Sequence, residues 1–201
     1  MLLFLLEIMY KYLIVIFSTI FFCKISYSQT KNCRLIKSKF NDIYQVNKDD
    51  ILCISKNSNR NKTLIFTFGI WCSPCRLHLP NAIKIAKDYD VELYILLIDN
   101  EGDKKVTDAI NFLKETEKDI NIIILKDKEY RKKRNKKYKQ FLDEITPSNF
   151  KNLNGMSKYI LLDGEGNVIM VTNWKDNKEN DWKDDSKMLQ KKIIPLLQKK
   201  S

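Results

Sequence analysis

Histidine is almost missing from this chain, which has His78 alone and five cysteines. Its one Cys-x-x-Cys, Cys72-Ser73-Pro74-Cys75, has no second copy, so a structural zinc site would be two ligands short. With five glycines and four prolines, no Pro/Gly-rich linker divides the chain and no glycine loop appears that would cradle a phosphate. No cysteine has the preceding Pro and Thr/Ser of a peroxidase, which sets peroxide reduction aside. Internal repeats and low-complexity runs are missing too. The roughly 20 apolar residues that span a bilayer are approached only by 1–23, which contains Glu7 and Lys11.

What the N-terminus does have is an apolar run from Tyr12 to Cys23 between Lys11 and Lys24. Ser26-Tyr27-Ser28 then offers small residues at the −3 and −1 positions before Gln29, the layout of a secretory signal peptide. Residues 1–28 are therefore read as a signal peptide, with an uncleaved membrane anchor as the alternative and Met1 or Met9 as initiator. Residues preceding Cys23 are too large for a lipidation signal. Export to the periplasm or cell envelope is expected, and four cysteines remain beyond the leader: Cys33, Cys53, Cys72 and Cys75. Such a compartment lets disulfides persist. Spacing does not choose between a Cys33–Cys53 bridge and two separate buried thiols.

The formal net charge is +11, mostly lysine spread along the chain. It reads as compositional bias rather than as a patch for an acidic partner or a membrane surface. Residues 29–60 form a polar N-terminal extension with one strand-like piece, Ile51-Leu52-Cys53-Ile54, and 61–201 form the main domain. There, Thr63–Phe68, Val91–Ile98 and Ile120–Leu125 are short apolar runs that read as buried strands. Helical spacing is seen over 73–88, 104–118 and 128–145. Tyr159–Leu162 and Val168–Thr172 flank a turn-rich Asp163–Asn167, a hairpin signal, and 184–198 closes as a helix with Pro195 a local fault. Alternating strands and helices followed by a hairpin mean an α/β fold, a mixed central sheet with helices on both faces.

Trp71-Cys72-Ser73-Pro74-Cys75 sits where the first buried strand meets its helix. Unpaired N–H groups and the positive end of the helix dipole favour a thiolate there, so the Cys72 thiol is expected below the ordinary value of about 8.5. Pro74 suits the first turn, where no donor is needed. Cys72 is the candidate nucleophile and Cys75 the resolving thiol of disulfide exchange. A purely structural disulfide is the plainer alternative. Exchange needs no cofactor or metal, and none is expected.

The segment Phe68-Gly69-Ile70-Trp71-Cys72-Ser73-Pro74-Cys75-Arg76-Leu77-His78-Leu79-Pro80 resembles the active-site segment of exported thioredoxin-like proteins of the TlpA type. The extra strand and helix between Val91 and Lys118 match the insertion that separates that type from plain thioredoxin. Gly155-Met156-Ser157-Lys158-Tyr159-Ile160-Leu161-Leu162-Asp163 is similar to the family's substrate loop and strand. The resemblance implies a thioredoxin fold with an N-terminal extension and a TlpA-type βα insertion, exchanging disulfides with envelope proteins, usually as a reductant. Trp71, Pro74, Met156 and Ser157 become the substrate-binding candidates.

Two departures bear on that expectation. Ser157 stands where relatives carry a cis-proline; a cis bond before a non-proline costs about 3–4 kcal/mol, so a trans bond, a reshaped loop and weakened docking are expected, and restoring proline should raise reductase activity. His78, three residues after Cys75 on the same helix face, stands where relatives often carry glutamate. It is either a base for Cys75 or a solvated polar residue. Phe66 occupies the place of thioredoxin's buried acid. A protein that keeps the fold but only binds a partner is therefore the second functional reading.

Lys126–Lys139 holds nine basic residues against two acidic ones. Tyr130 and Tyr138 fall on its apolar stripe, which makes them core, and export argues against nucleic acid as partner. The run reads as a solvated face or a dock for an acidic partner. Protein thiols and disulfides are the expected partners, with a membrane tether through the N-terminus if the leader stays. Trp174 and Trp182 receive no role.

Overall fold

The computed structural model describes residues 33–130, 133–178 and 181–199. The signal-peptide reading of 1–28 lies outside them. Seven strands form one sheet: β1 (Ile36–Lys37), β2 (Tyr44–Val46), β3 (Lys62–Phe68), β4 (Glu92–Leu97), β5 (Asn121–Leu125), β6 (Tyr159–Asp163) and β7 (Val168–Val171). Their spatial order is β1-β2-β5-β4-β3-β6-β7. β2, β5, β4 and β3 run parallel, while β6 and β7 add antiparallel strands beside β3.

Every residue of β3 is buried, as a strand covered on both faces requires. Side chains alternate between the faces. Leu64, Phe66, Ile95 and Leu161 pack against α2 (Ser73–Asp88), α3 (Lys104–Thr116) and the C-terminal helical turns. Ile65, Leu96, Ile123 and Ile160 pack on the other side with α1 (Lys48–Lys56) and α4 (Arg134–Ile145). Phe66 is fully buried against the Tyr159 ring, 4.9 Å between centroids.

The piece Ile51–Ile54, read as a strand, is the middle of α1. The reason is local: the Asn47 side chain accepts from the Asp50 N–H at 2.9 Å and the Asp50 carboxylate accepts from the Asn47 N–H at 2.9 Å. This reciprocal box starts a helix, and its buried residues Ile51, Ile54 and Ser55 fall at helical spacing. β1 and β2, from the same polar stretch, were too short to read as strands.

Two helix boundaries also shift. The helix expected over 128–145 begins at Arg134; Tyr130 precedes it and is buried through its own turn, its hydroxyl donating to Glu144 at 3.2 Å. The closing helix is not uniform: α5 (Ser186–Met188) and α6 (Ile194–Gln198) flank a π-helical turn, Leu189–Ile193. Pro195 cannot donate to the carbonyl four residues back, and a widened turn just before it absorbs the mismatch. In the hairpin, Gly166 takes φ +80°, and a Cβ there would lie 2.8 Å from the Leu52 carbonyl oxygen of α1. Only glycine allows both.

Candidate active site

β3 ends at Phe68, and Gly69-Ile70-Trp71 carries the chain to α2. Cys72 is the cap of that helix: its Sγ accepts from the Cys75 N–H at 3.2 Å. Its own N–H donates to the Gly69 carbonyl at 2.9 Å. Pro74 falls in the first turn, where its lack of a donor is harmless. Cys72 and Cys75 are joined as a disulfide with Cα atoms 5.2 Å apart. Cys75 is fully enclosed, whereas Cys72 keeps 5% of its surface, so an incoming sulfur can meet Cys72 alone. After reduction the N–H that now points at Cys72 Sγ would favour the thiolate.

Trp71 is held from behind. Its indole N–H donates to both oxygens of Asp99, at 3.1 and 2.9 Å. The Arg134 guanidinium stacks 4.0 Å from the Trp71 ring centroid and pairs with Asp99 at 3.2 Å. Lys137, wholly buried, donates to the Asp99 carbonyl at 2.8 Å and to Asp127 at 2.6 Å. Burial lowers the pKa of this lysine, against the pull of Asp127. The indole also folds over Gly69, where a Cβ would meet it at 2.9 Å. Part of the basic run at 126–139 is thus internal, built into the support of Trp71.

The loop Gly155-Met156-Ser157 is anchored at both ends. Tyr138 donates to the Gly155 carbonyl at 3.0 Å, and the Lys158 N–H donates to Thr67 Oγ1 at 2.9 Å. No peptide bond among the described residues is cis. Ser157 instead adopts φ +60°, a left-handed conformation that costs a non-glycine residue about 1–2 kcal/mol. Its hydroxyl lies 2.7 Å from His78 Nδ1.

His78 is 6% exposed, which removes the reading of it as a solvated residue. Its Nε2 lies 3.0 Å from the Trp182 carbonyl oxygen. That acceptor needs a proton on Nε2, so in the neutral ring Nδ1 accepts from Ser157. Both ring nitrogens are therefore engaged with groups other than Cys75. Behind them lies Asp185, fully buried, with Oδ2 3.5 Å from Nδ1. It accepts from Asn81 at 2.6 Å and from Tyr159 at 2.5 Å. Burial and the Asp185 carboxylate raise the Tyr159 hydroxyl's pKa well above its usual value.

Pro74, His78, Met156 and Ser157 line one cavity with Trp174 and Trp182. Of the seven residues marked out in the sequence, those four share this cavity, Cys72 and Cys75 form the disulfide beside it, and Trp71 sits on the clamp of Asp99 and Arg134. Sequence reasoning missed Asp99, Arg134, Asp185 and both tryptophans as site residues. Asp99 ends the run after β4, and a carboxylate ending an apolar strand was the available signal. No group of three or more His, Cys, Asp and Glu side chains that could hold a metal occurs among the described residues.

No protein-family model and no curated protein sequence matches the chain. Solved structures give remote likenesses. A thioredoxin-like protein in its oxidised form is 13% identical, over 76% of this chain and 84% of that one, with a TM-score of 0.45. The thioredoxin domain of a thiol-disulfide oxidoreductase from Bacteroides vulgatus is 18% identical, over 70% and 85%, with a TM-score of 0.43. A thio-disulfide isomerase from Thermus thermophilus is 14% identical, over 72% and 82%, also at 0.43. The sheet of this chain has β3 central, a Cys-x-x-Cys capping the helix that follows, the antiparallel β6–β7 hairpin on one side, and the parallel strands β4, β5 and β2 on the other. This is a thioredoxin-type arrangement.

Proposed function

We propose that the chain is an exported thiol-disulfide oxidoreductase that exchanges disulfides with protein partners through Cys72 and Cys75, acting as a reductant. The observation that carries this reading is the cap itself, a Cys72 that keeps 5% of its surface and whose sulfur already receives the Cys75 N–H, over a fully enclosed Cys75. In the reduced protein the Cys72 thiolate attacks one sulfur of a substrate disulfide. That S–S bond breaks, a thiolate leaves, and Cys72 is joined to the substrate. Cys75, deprotonated, then attacks Cys72 Sγ, releases the second substrate thiol and closes the Cys72–Cys75 bond. Two electrons have passed to the substrate, and a dithiol donor in the same compartment must reopen the pair.

Trp71, Pro74, Met156 and Ser157 form the substrate side of this scheme. His78 enters as a positioning residue that ties the Ser157 hydroxyl to the Trp182 segment; taking the Cys75 proton would require it to release one of these partners. Export is supported by the leader-like sequence of 1–28 and by the Cys33–Cys53 bond, which lies outside the exchange centre.

Thiol trapping across defined redox buffers tests the reading. A two-electron transition near roughly −270 mV is expected for a reductant, whereas one near about −120 mV makes the protein an oxidant. The second reading, a binding protein with weak redox activity, is favoured by the left-handed Ser157 in place of a substrate-pairing cis-proline. Partner affinity without turnover of a model protein disulfide would select it.

A further inference from the structure

Disulfide exchange leaves the contact between Ser157 and His78 without a chemical task. The Ser157 Oγ lies 2.7 Å from His78 Nδ1, and His78 Nε2 lies 3.0 Å from the Trp182 carbonyl oxygen. With the Nε2 proton given to that carbonyl, Nδ1 keeps a lone pair for the serine hydroxyl. A hydroxyl within reach of a base that a third group orients is the arrangement that activates a serine nucleophile. Asp185, fully buried, places Oδ2 3.5 Å from the same Nδ1. A carboxylate there stabilises the imidazolium that forms once the ring takes a proton.

The surroundings point the same way. Ser157 takes φ +60°, backbone strain of the kind that collects at reacting residues. His78 is buried, so bulk water competes little for Nδ1. Both side chains line a cavity of about 370 Å³ whose wall includes Met156, Met188, Trp174 and Trp182. The Lys158 N–H, next in the chain, is taken by Thr67 Oγ1 at 2.9 Å and is not free to receive an oxyanion. Trp174 is placed for that: its Cδ1 lies 3.4 Å from where a Gly155 Cβ would stand, which sets the adjoining indole N–H beside the loop that carries Ser157.

We propose that Ser157 and His78 form a second reactive centre, which hydrolyses small esters with a short apolar acyl group. Met156, Met188 and Trp182 supply the apolar wall for the acyl chain. His78 Nδ1 takes the Ser157 proton as Oγ attacks the ester carbonyl. The carbon–oxygen bond to the alcohol breaks, the ring proton passes to the leaving oxygen, and the acyl group stays on Ser157. Water then attacks this acyl-serine and gives its proton to Nδ1. The acid departs, and Oγ recovers its hydrogen from the ring. The Trp174 N–H donates to the carbonyl oxygen while that oxygen carries charge. No electron is transferred and no sulfur takes part, so this centre and the exchange centre stand or fall separately.

The test uses the oxidised full chain, treated with N-ethylmaleimide without reductant so that any open thiol is blocked. It is assayed on p-nitrophenyl butyrate and, separately, exposed to a fluorophosphonate, with the modified residue located by peptide mass mapping. A fluorophosphonate adduct on Ser157 is expected. Hydrolysis should fall by on the order of 10²-fold or more in Ser157→Ala and in His78→Gln. Trp174→Phe, which removes the N–H and keeps a ring, should lower kcat by on the order of 10²-fold with KM little changed. No adduct, or an adduct on another residue, overturns the proposal. So does hydrolysis no faster than in buffer, or hydrolysis that Ser157→Ala leaves unchanged. The adduct is read on the unaltered chain, so a variant that fails to fold does not obscure the result.

Discussion

The two disulfides of this protein connect very different things. Cys33–Cys53 spans 20 residues and fastens the segment before β1 to α1. Cys72–Cys75 spans 3 and stays within one helical turn. Loop-closure entropy scales with the enclosed chain, so the first is worth about 3 kcal/mol and the second about half that. Cys33 and Cys53 are both half-buried, with the Asn57 amide beside their sulfurs at 3.5 and 3.6 Å. Cys72 and Cys75 divide their burial unequally, and their sulfurs meet a helix N-terminus. One bond is placed to hold chain together, the other to be opened and closed.

The sharpest way to break that contrast is substitution at the centre. Cys72→Ser should lower turnover of a protein disulfide by on the order of 10³-fold or more, since the attacking thiolate is gone. Cys33→Ala with Cys53→Ala should retain turnover. Equal losses in both would mean that the two bonds do not divide the labour as argued. Stability should report the reverse order. In denaturant unfolding the Cys33/Cys53 variant should lose about 3 kcal/mol, and the Cys72/Cys75 double alanine variant about half as much or less.

How far the sequence carried this division can be read from single residues. The capping role of Cys72 follows from an apolar run ending in Trp-Cys-Ser-Pro-Cys, because strand, turn and helix start are all local signals. α1 was hidden because four apolar letters, Ile51–Ile54, outweighed the Asn47–Asp50 box that decides the matter. The Cys33–Cys53 pairing was open because it depends on where α1 packs against the sheet, a tertiary fact. Asp99, Arg134 and Asp185 are far from the cysteines in sequence and reach the site only through the sheet order, so no spacing rule finds them. His78 was legible as a residue on the Cys75 face of α2, but its partners, Ser157 and the Trp182 carbonyl, lie 79 and 104 residues away.

Ser157 sharpens the comparison at the exchange end. A proline ring fixes φ near −65°, whereas this position sits at +60° and its hydroxyl holds His78. Ser157→Pro therefore cannot be a local repair: the loop must turn over and release His78. The expected first effect is a loss of about 2 kcal/mol in denaturant unfolding. The rise in reductase activity expected from the sequence then depends on whether the rearranged loop meets substrate. A variant as stable as the parent would show that the left-handed loop is not held by the contacts described.

The smallest expected effect separates two buried lysines, one at each end of the comparison. Lys126, near α1, pairs with Asp50 at 2.7 Å and Glu129 at 3.2 Å; burial opposes its charge, but those carboxylates hold its pKa above the usual value. Lys158, beside Ser157, donates to the Thr172 carbonyl at 3.1 Å, and burial pulls it down to about 8 against the pull of Asp176. Below pH 8 the folded chain carries this charge at a full burial penalty. Between about 8 and the usual 10.5 the unfolded chain keeps a proton that the folded chain has released, so stability rises with pH across that window. Lys158→Met removes the titration and keeps the length of the stem. Unfolding both proteins at pH 7, 8.5 and 10, with the disulfides closed, cancels the titration of other groups. The variant's stability relative to the parent should be greatest at pH 7 and should shrink toward pH 10. The same comparison with Lys126→Met should show no such narrowing between pH 8 and 10, because a raised pKa confines its linkage to more alkaline solution. A constant difference for Lys158 would mean that its ammonium is better solvated than a 1% exposed side chain implies.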